Sequence, residues 1–201
     1  MFFKISRVFS DILAVMLAGM TIKLLDDFLD HTIDSISENP SLIDVLGPGS
    51  VVYTLVFGVI ACSINLKLAA PLMLSAYAVG MLKDPSDMLP LGFSAWVESM
   101  IIVVITWNIF GWRTTLASIL IMTTVEFVDD IIDYSRDSAV HSGNFVYSIG
   151  KGQLILISLA LFIASYIVDR RMTIVVAICT PTIAIAADFI SRSHRGEPYV
   201  P

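Results

Sequence analysis

Asp26-Asp27-Phe28-Leu29-Asp30-His31-Thr32-Ile33-Asp34 and Asp129-Asp130-Ile131-Ile132-Asp133-Tyr134-Ser135-Arg136-Asp137 carry one pattern, D-D-x-x-D-x-x-x-D, twice. The second copy follows the first at one fixed offset: Asp130 lies 103 residues after Asp27, Asp133 after Asp30 and Asp137 after Asp34. Each copy closes an apolar run. A helix advances about 100° per residue, so Asp27, Asp30 and Asp34 fall in a narrow arc on one face, as do Asp130, Asp133 and Asp137. Six carboxylates gathered from two helices repel one another in a low-dielectric setting. The pattern therefore calls for a positive partner. Carboxylates without accompanying His or Cys suit a hard cation, and Mg²⁺ keeps waters and bridges to phosphate oxygens. The expected ligand is thus a divalent metal and, through it, a diphosphate.

The surrounding chain sets the solvent. Of its 201 residues 56% are hydrophobic and only 15% charged, and the mean hydropathy is +0.82. A soluble domain is about a quarter charged. The composition predicts an all-α, polytopic membrane bundle with a pseudo-repeat, forming one transmembrane domain over 1–201. Seven helices are expected, at about 8–25, 50–66, 68–82, 88–112, 114–134, 152–168 and 172–190. With their acidic ends included, the motif helices run over about 8–34 and 114–137. Lys67 and Pro71 mark a break, and Pro181 a kink. Lys4 and Arg7 lead into the first run, but Asp11 interrupts it and no small-residue cleavage site follows, so it is read as a retained helix. Cys62 and Cys179 stand singly in apolar runs and give neither a disulfide framework nor metal spacing. A net charge of −6 argues against nucleic acid as a partner.

If every segment crosses, the two motif helices run in the same direction and both motifs reach one membrane face. All the acids except Asp11, Glu98 and Asp169 then lie on that face. The bases divide almost evenly between the two faces, so counting them does not fix the orientation. Ionisable groups at membrane depth are functional by default, and two copies at constant spacing weigh against a mere solvated helix end. Lys23 and Glu126 occupy equivalent places, one turn before their motifs. They are expected either to form an ion pair within the bundle or, for Lys23, to contact the diphosphate. Glu98 is read as a buried hydrogen-bonded group or a polar group near an acceptor. Asp11 is read as a cap at the start of the first helix.

The two motifs, with Tyr77 to Lys83 and then Leu89-Pro90-Leu91-Gly92 between them, resemble the UbiA superfamily of intramembrane prenyltransferases. That family carries an N/D-D-x-x-D-x-x-x-D motif and a second acidic motif four helices later, and the resemblance spans roughly residues 8–190. Asp26 stands where the family often has Asn, and the Tyr-to-Lys gap is wider than the family's. The chain is also shorter than the usual nine-helix member, which leaves the acceptor and the reaction outcome open. The resemblance implies that Asp27, Asp30, Asp34, Asp130, Asp133 and Asp137 bind Mg²⁺, with Asp26 and Asp129 as further ligands or supporting groups. It implies that Lys83, Arg136 and Lys23 contact the diphosphate, with Lys151 as an outer possibility. The expected partners are a prenyl diphosphate, a hydrophobic acceptor (aromatic or a lipid alcohol) and membrane lipid. The expected location is a bacterial or archaeal cell membrane, motifs on the cytoplasmic side. A terpene cyclase on the same scaffold is the alternative enzyme, and a cation channel or transporter the alternative outside catalysis.

Overall fold

The computed structural model of the chain describes residues 2–37, 42–83, 85–89, 92–134 and 144–195; the side chains of 2–6, 30–37 and 192–195 lie outside that description. Eight α-helices are present among these residues: α1 (Phe2–Ser37), α2 (Leu42–Leu46), α3 (Ser50–Gly80), α4 (Ala95–Phe110), α5 (Trp112–Asp133), α6 (Phe145–Ile149), α7 (Lys151–Val168) and α8 (Arg170–Arg195). No strand is assigned among them. The helix α3 is broken at Asn65, whose φ of −150° and ψ of 88° are extended. Divided there, the described residues form seven long segments, the number the hydropathy predicts, plus α2 and α6, which are five residues each. Among the described residues four helical stretches are long and apolar enough to cross a membrane: Arg7–Leu29, Leu42–Gly80, Lys151–Val168 and Arg170–Ser191.

Four expectations need correction. The first helix begins at Phe2, not near residue 8, and runs through its acidic motif to Ser37. Asp11 is therefore mid-helix and cannot cap it; it is buried and accepts a hydrogen bond from Asn65 Nδ2 at 2.9 Å. The break in α3 falls at Asn65 rather than at Lys67 and Pro71. Finally, α4 starts at Ala95 instead of residue 88. Before it the chain turns, with Leu89 N–H donating to the Phe93 carbonyl at 2.9 Å and Gly92 N–H to the Leu89 carbonyl at 2.8 Å. Gly92 sits at φ 82°, a conformation that glycine adopts without a Cβ penalty.

The chain divides into two compact units, Met1–Ala69 with Val175–Pro201, and Ala70–Ile174. In the first, α1 packs on α8 through small residues: a Cβ added at Gly19 would collide with the Ile183 side chain. Leu24 of α1, Leu42 of α2 and Ala187 of α8 form a buried cluster, with Met20, Leu46 and Phe57 packed against it. Asp11 and Asn65 tie α1 to α3 at the point where α3 breaks. The side-chain amide thereby provides a donor to a carboxylate inside an otherwise apolar helix, where an unsatisfied polar group is costly.

The second unit is joined by short hydroxyl side chains. Ser75 of α3 and Ser118 of α5 share a hydrogen bond at 2.7 Å, and Ser99 of α4 donates to the Ala78 carbonyl at 2.9 Å. Ser165 of α7 donates to the Ala117 carbonyl of α5 at 3.1 Å and lies 2.7 Å from the Thr173 hydroxyl. Ala117, Ser118, Ser165 and Thr173 are fully buried. Small and hydroxylated residues let helices approach closely where apolar burial alone gives no advantage over lipid. Outside these seams the helices present apolar side chains such as Leu55, Val59, Trp107, Leu156 and Ile167 to the exterior. Gly111, at φ 87°, is the single residue linking α4 to α5.

Candidate functional site

The first acidic motif lies within the continuous helix α1. Its neighbours Asp26 and Asp27 differ sharply in setting. Asp27 is buried, while Asp26 is partly exposed. Lys23, one turn earlier, places its Nζ 3.0 Å from Asp27 Oδ1 and 3.6 Å from Asp26 Oδ2. The other oxygen of Asp27, Oδ2, accepts a hydrogen bond at 2.9 Å from the backbone N–H of Leu42, fifteen residues on. Leu42 opens α2, so the carboxylate satisfies a donor at a helix start that has no partner within its own helix. A backbone N–H facing an ionised carboxylate is a charge-assisted bond, stronger than a neutral one.

The second motif repeats this arrangement within the other unit. Asp129, Asp130 and Asp133 end α5. Asp130 is buried and Asp129 exposed. Asp130 Oδ2 accepts at 2.8 Å from the backbone N–H of Phe145, again fifteen residues on and again the first residue of a five-residue helix. Asn144 secures the junction from the other direction. Its Nδ2 donates to the Asp130 carbonyl at 2.9 Å, and its Oδ1 caps α6 by accepting from Val146 N–H at 2.8 Å. The packing beneath is also repeated. Leu24 meets Leu42 in the first unit, and Phe127 meets Phe145 edge-on in the second, with ring centroids 5.2 Å apart.

The cation beside the buried carboxylate is present in both units but comes from different elements. At the place equivalent to Lys23, α5 has Glu126. Lys83, from the turn after α3, forms an ion pair with Glu126 and lies 4.0 Å from Asp130 Oδ1. Lys151 opens α7 and stands over the Tyr134 ring at 5.8 Å, where cation and ring attract.

Glu98, on the first turn of α4, is 8% exposed. Tyr77 donates its hydroxyl hydrogen to Glu98 Oε2 at 2.7 Å, and Glu98 Oε1 is buried with no hydrogen-bond partner among the described residues. Of the two sequence expectations for Glu98, the buried hydrogen-bonded one describes one oxygen only. The partners Asn65, Tyr77 and Asn144 and the amides of Leu42 and Phe145 were not among the expected site groups. Asn144 does carry a legible signal, being a capping residue type just before an apolar segment.

Arg136 and Asp137, and the side chains of Asp30 and Asp34, lie outside the described residues. Among the described residues no group of three or more His, Cys, Asp or Glu side chains is placed to hold one metal ion. The donors that are described, Asp26 and Asp27 in one unit and Asp129, Asp130 and Asp133 in the other, are all hard carboxylate oxygens. That chemistry fits Mg²⁺ or Ca²⁺ and not a thiolate- or imidazole-seeking metal. No family model matches the chain, and neither a curated protein nor a solved structure matches it.

Proposed function

We propose that the chain is a Mg²⁺-dependent intramembrane prenyltransferase, which ionises a prenyl diphosphate and passes the prenyl group to a hydrophobic acceptor. The observation that carries this reading is the duplicated acidic motif, set at the ends of apolar segments and attended in each unit by a lysine. The family resemblance supports it. So does the repetition of the carboxylate-to-amide bond, the short helix and the packing pair at one offset of 103 residues, from which we read a pseudo-repeat.

Each part of a prenyl diphosphate has a chemically matching part of the chain. The carboxylates of Asp26–Asp34 and Asp129–Asp137 would hold Mg²⁺, which when bound neutralises charge on a diphosphate leaving group. Lys23 and Lys83 are ammonium groups with several N–H donors on flexible stems. Each now faces a motif carboxylate and can turn those donors toward phosphate oxygens, with Arg136 as a further cation. The apolar helices give a prenyl tail an environment free of water, in which a cation formed by C–O cleavage is not lost to hydrolysis. The acceptor then contributes the electron pair for the new bond and releases a proton. The location that goes with this reading is a bacterial or archaeal cell membrane, with the motifs toward the cytoplasm.

The test is product analysis. Full-length protein in lipid nanodiscs, given an allylic diphosphate, Mg²⁺ and a panel of aromatic and lipid-alcohol acceptors, is expected to yield a prenylated acceptor and inorganic diphosphate. A cyclic hydrocarbon formed from the diphosphate alone would assign the scaffold to cyclisation instead. No metal-dependent product of either kind would reject the proposal.

A further inference from the structure

We propose that Glu98, held by Tyr77, is the binding site for an aromatic alcohol, whose hydroxyl group donates its hydrogen bond to Glu98 Oε1. The two oxygens of this carboxylate differ. Oε2 accepts the Tyr77 hydroxyl hydrogen at 2.7 Å, while Oε1 has no hydrogen-bond partner among the described residues. Glu98 is buried and stands in the first turn of the apolar helix α4. A buried acceptor left unmatched is costly, and native structures keep few of them without a reason. Bridging α3 to α4 is not a sufficient reason, because the Ser99 hydroxyl already does so at the Ala78 carbonyl, 2.9 Å away.

The surroundings define the ligand. Tyr77 shows which group the carboxylate accepts, a phenol hydroxyl. An ionised carboxylate has about four lone-pair sites on its two oxygens, so a second phenol suits it beside the first. Oε1 is shut off from solvent, and its donor must therefore arrive on an apolar molecule. Trp96, Val97, Met100, Ile101, Val104 and Ile105 line an apolar groove of about 310 Å³ along the same helix. Ile101 and Ile105 follow Glu98 by three and seven residues, a spacing that keeps them on its side of α4. The rings of the ligand lie in that groove and its hydroxyl at Glu98, the usual division between an apolar pocket and the polar group that orients its occupant.

The position also suits the chemistry proposed above. Tyr77 and Lys83 belong to one run of helix and turn, with the Met81 N–H on the Tyr77 carbonyl at 3.1 Å and the Lys83 N–H on the Gly80 carbonyl at 3.2 Å. Six residues at helical rise span about 9 Å. Lys83 in turn pairs with Glu126 and lies 4.0 Å from Asp130 Oδ1. Glu98 thus sits beside the segment that carries a cation to the second acidic motif. On the prenyltransferase reading, on which this step rests, the aromatic alcohol is the acceptor. Its oxygen lone pair forms the new bond to C1 of the prenyl chain, and the C1–O bond to diphosphate breaks with its electron pair leaving on the diphosphate. The hydroxyl proton passes to Glu98 Oε1, which returns it to water once the ether has left.

Full-length protein in nanodiscs tests the binding without any diphosphate. The probes are 2-naphthol and 2-methoxynaphthalene, which has the same rings but no donor, each corrected for uptake by protein-free nanodiscs. The parent is expected to bind 2-naphthol at least about tenfold more tightly than its methyl ether, the worth of a hydrogen bond to a carboxylate. Glu98→Gln should remove most of that preference and leave 2-methoxynaphthalene binding within about twofold. Excited 2-naphthol also gives its proton to a base within hydrogen-bond reach and then emits as naphtholate, so the parent should show that emission and Glu98→Gln should lose it. Equal affinity of the parent for the two probes would overturn the proposal whatever the variant does, and so would naphtholate emission that survives Glu98→Gln. With an allylic diphosphate and Mg²⁺ added, the parent should form the prenyl naphthyl ether, and Glu98→Gln about a hundredfold less of it, as for loss of a general base. A parent that prefers 2-naphthol but forms no metal-dependent product would count against the prenyltransferase reading alone. A parent that forms the ether without preferring 2-naphthol would count against the Glu98 site alone.

Discussion

Replacing Asp133 by Asn is expected to lower Mg²⁺-dependent diphosphate release by about a hundredfold or more, the usual cost of removing one preorganised electrostatic group from a reacting centre. Asp133 is the last residue of α5, partly exposed and one turn beyond Asp129. Asn preserves its size and helix position but removes the charge that attracts a hard cation. Asp30→Asn should cost a similar factor, since Asp30 has the same place in the first motif. Exposed Asp87, outside both motifs, is the control: Asp87→Asn should leave release within about twofold, as surface substitutions away from special features do little. The comparison is made by measuring initial rates of diphosphate release across a Mg²⁺ titration. Equal losses in all three variants would point to bulk charge rather than to a site.

The second large effect is on stability. Asn65→Leu is expected to destabilise the chain by about 1.5–3 kcal/mol, because it deprives the buried Asp11 carboxylate of the donor 2.9 Å away. Replacing both partners, as Asp11→Leu with Asn65→Leu, should recover much of that loss, since no buried carboxylate then remains to be satisfied. The measurement is a double-mutant cycle followed by thermal unfolding in detergent micelles. Strict additivity of the two single substitutions would contradict the contact. Asn65 also occupies the break in α3, so its replacement should make protease access near residues 64–67 differ from that of the parent.

The break itself shows which features the sequence made legible. Hydropathy places a division in the stretch that α3 occupies, but Lys67 and Pro71 draw attention to the wrong residues. Pro71 lies inside α3 in the structure and leaves the helix unbroken by backbone angle, whereas Asn65 breaks it. Asn65 adopts the extended conformation and has a partner, Asp11, fifty-four residues earlier in the chain. No local pattern announces a hydrogen bond of that separation. At the end of α7, Asp169 adopts a closely similar conformation, φ −142° and ψ 92°, and its Oδ1 accepts from Met172 N–H at 3.0 Å. There the polar run Asp169-Arg170-Arg171 made the division visible.

The acidic motifs were legible because acids at helical spacing stand out in apolar surroundings. Their internal differentiation was not. Asp26 and Asp27 are equivalent letters in a sequence, and burial and the amide bond from Leu42 set Asp27 apart. The short helices α2 and α6, at five residues, contain too few turns for any periodic signal. Lys23 and Glu126 could be matched by offset, but the arrival of Lys83 at the vacant basic place depends on the course of the turn after α3. The start of α4 differs for a simpler reason: Met88 and Leu89 are apolar, but they lie outside any helix and Gly92 is left-handed, so the helix begins only at Ala95.

Release of inorganic diphosphate from an allylic prenyl diphosphate, by the purified full-length chain in nanodiscs, tests the central claim most directly. The account predicts release that requires Mg²⁺, stops on chelation with EDTA and returns when the metal is restored. Release that is indifferent to EDTA, or none at any Mg²⁺ concentration, would contradict it.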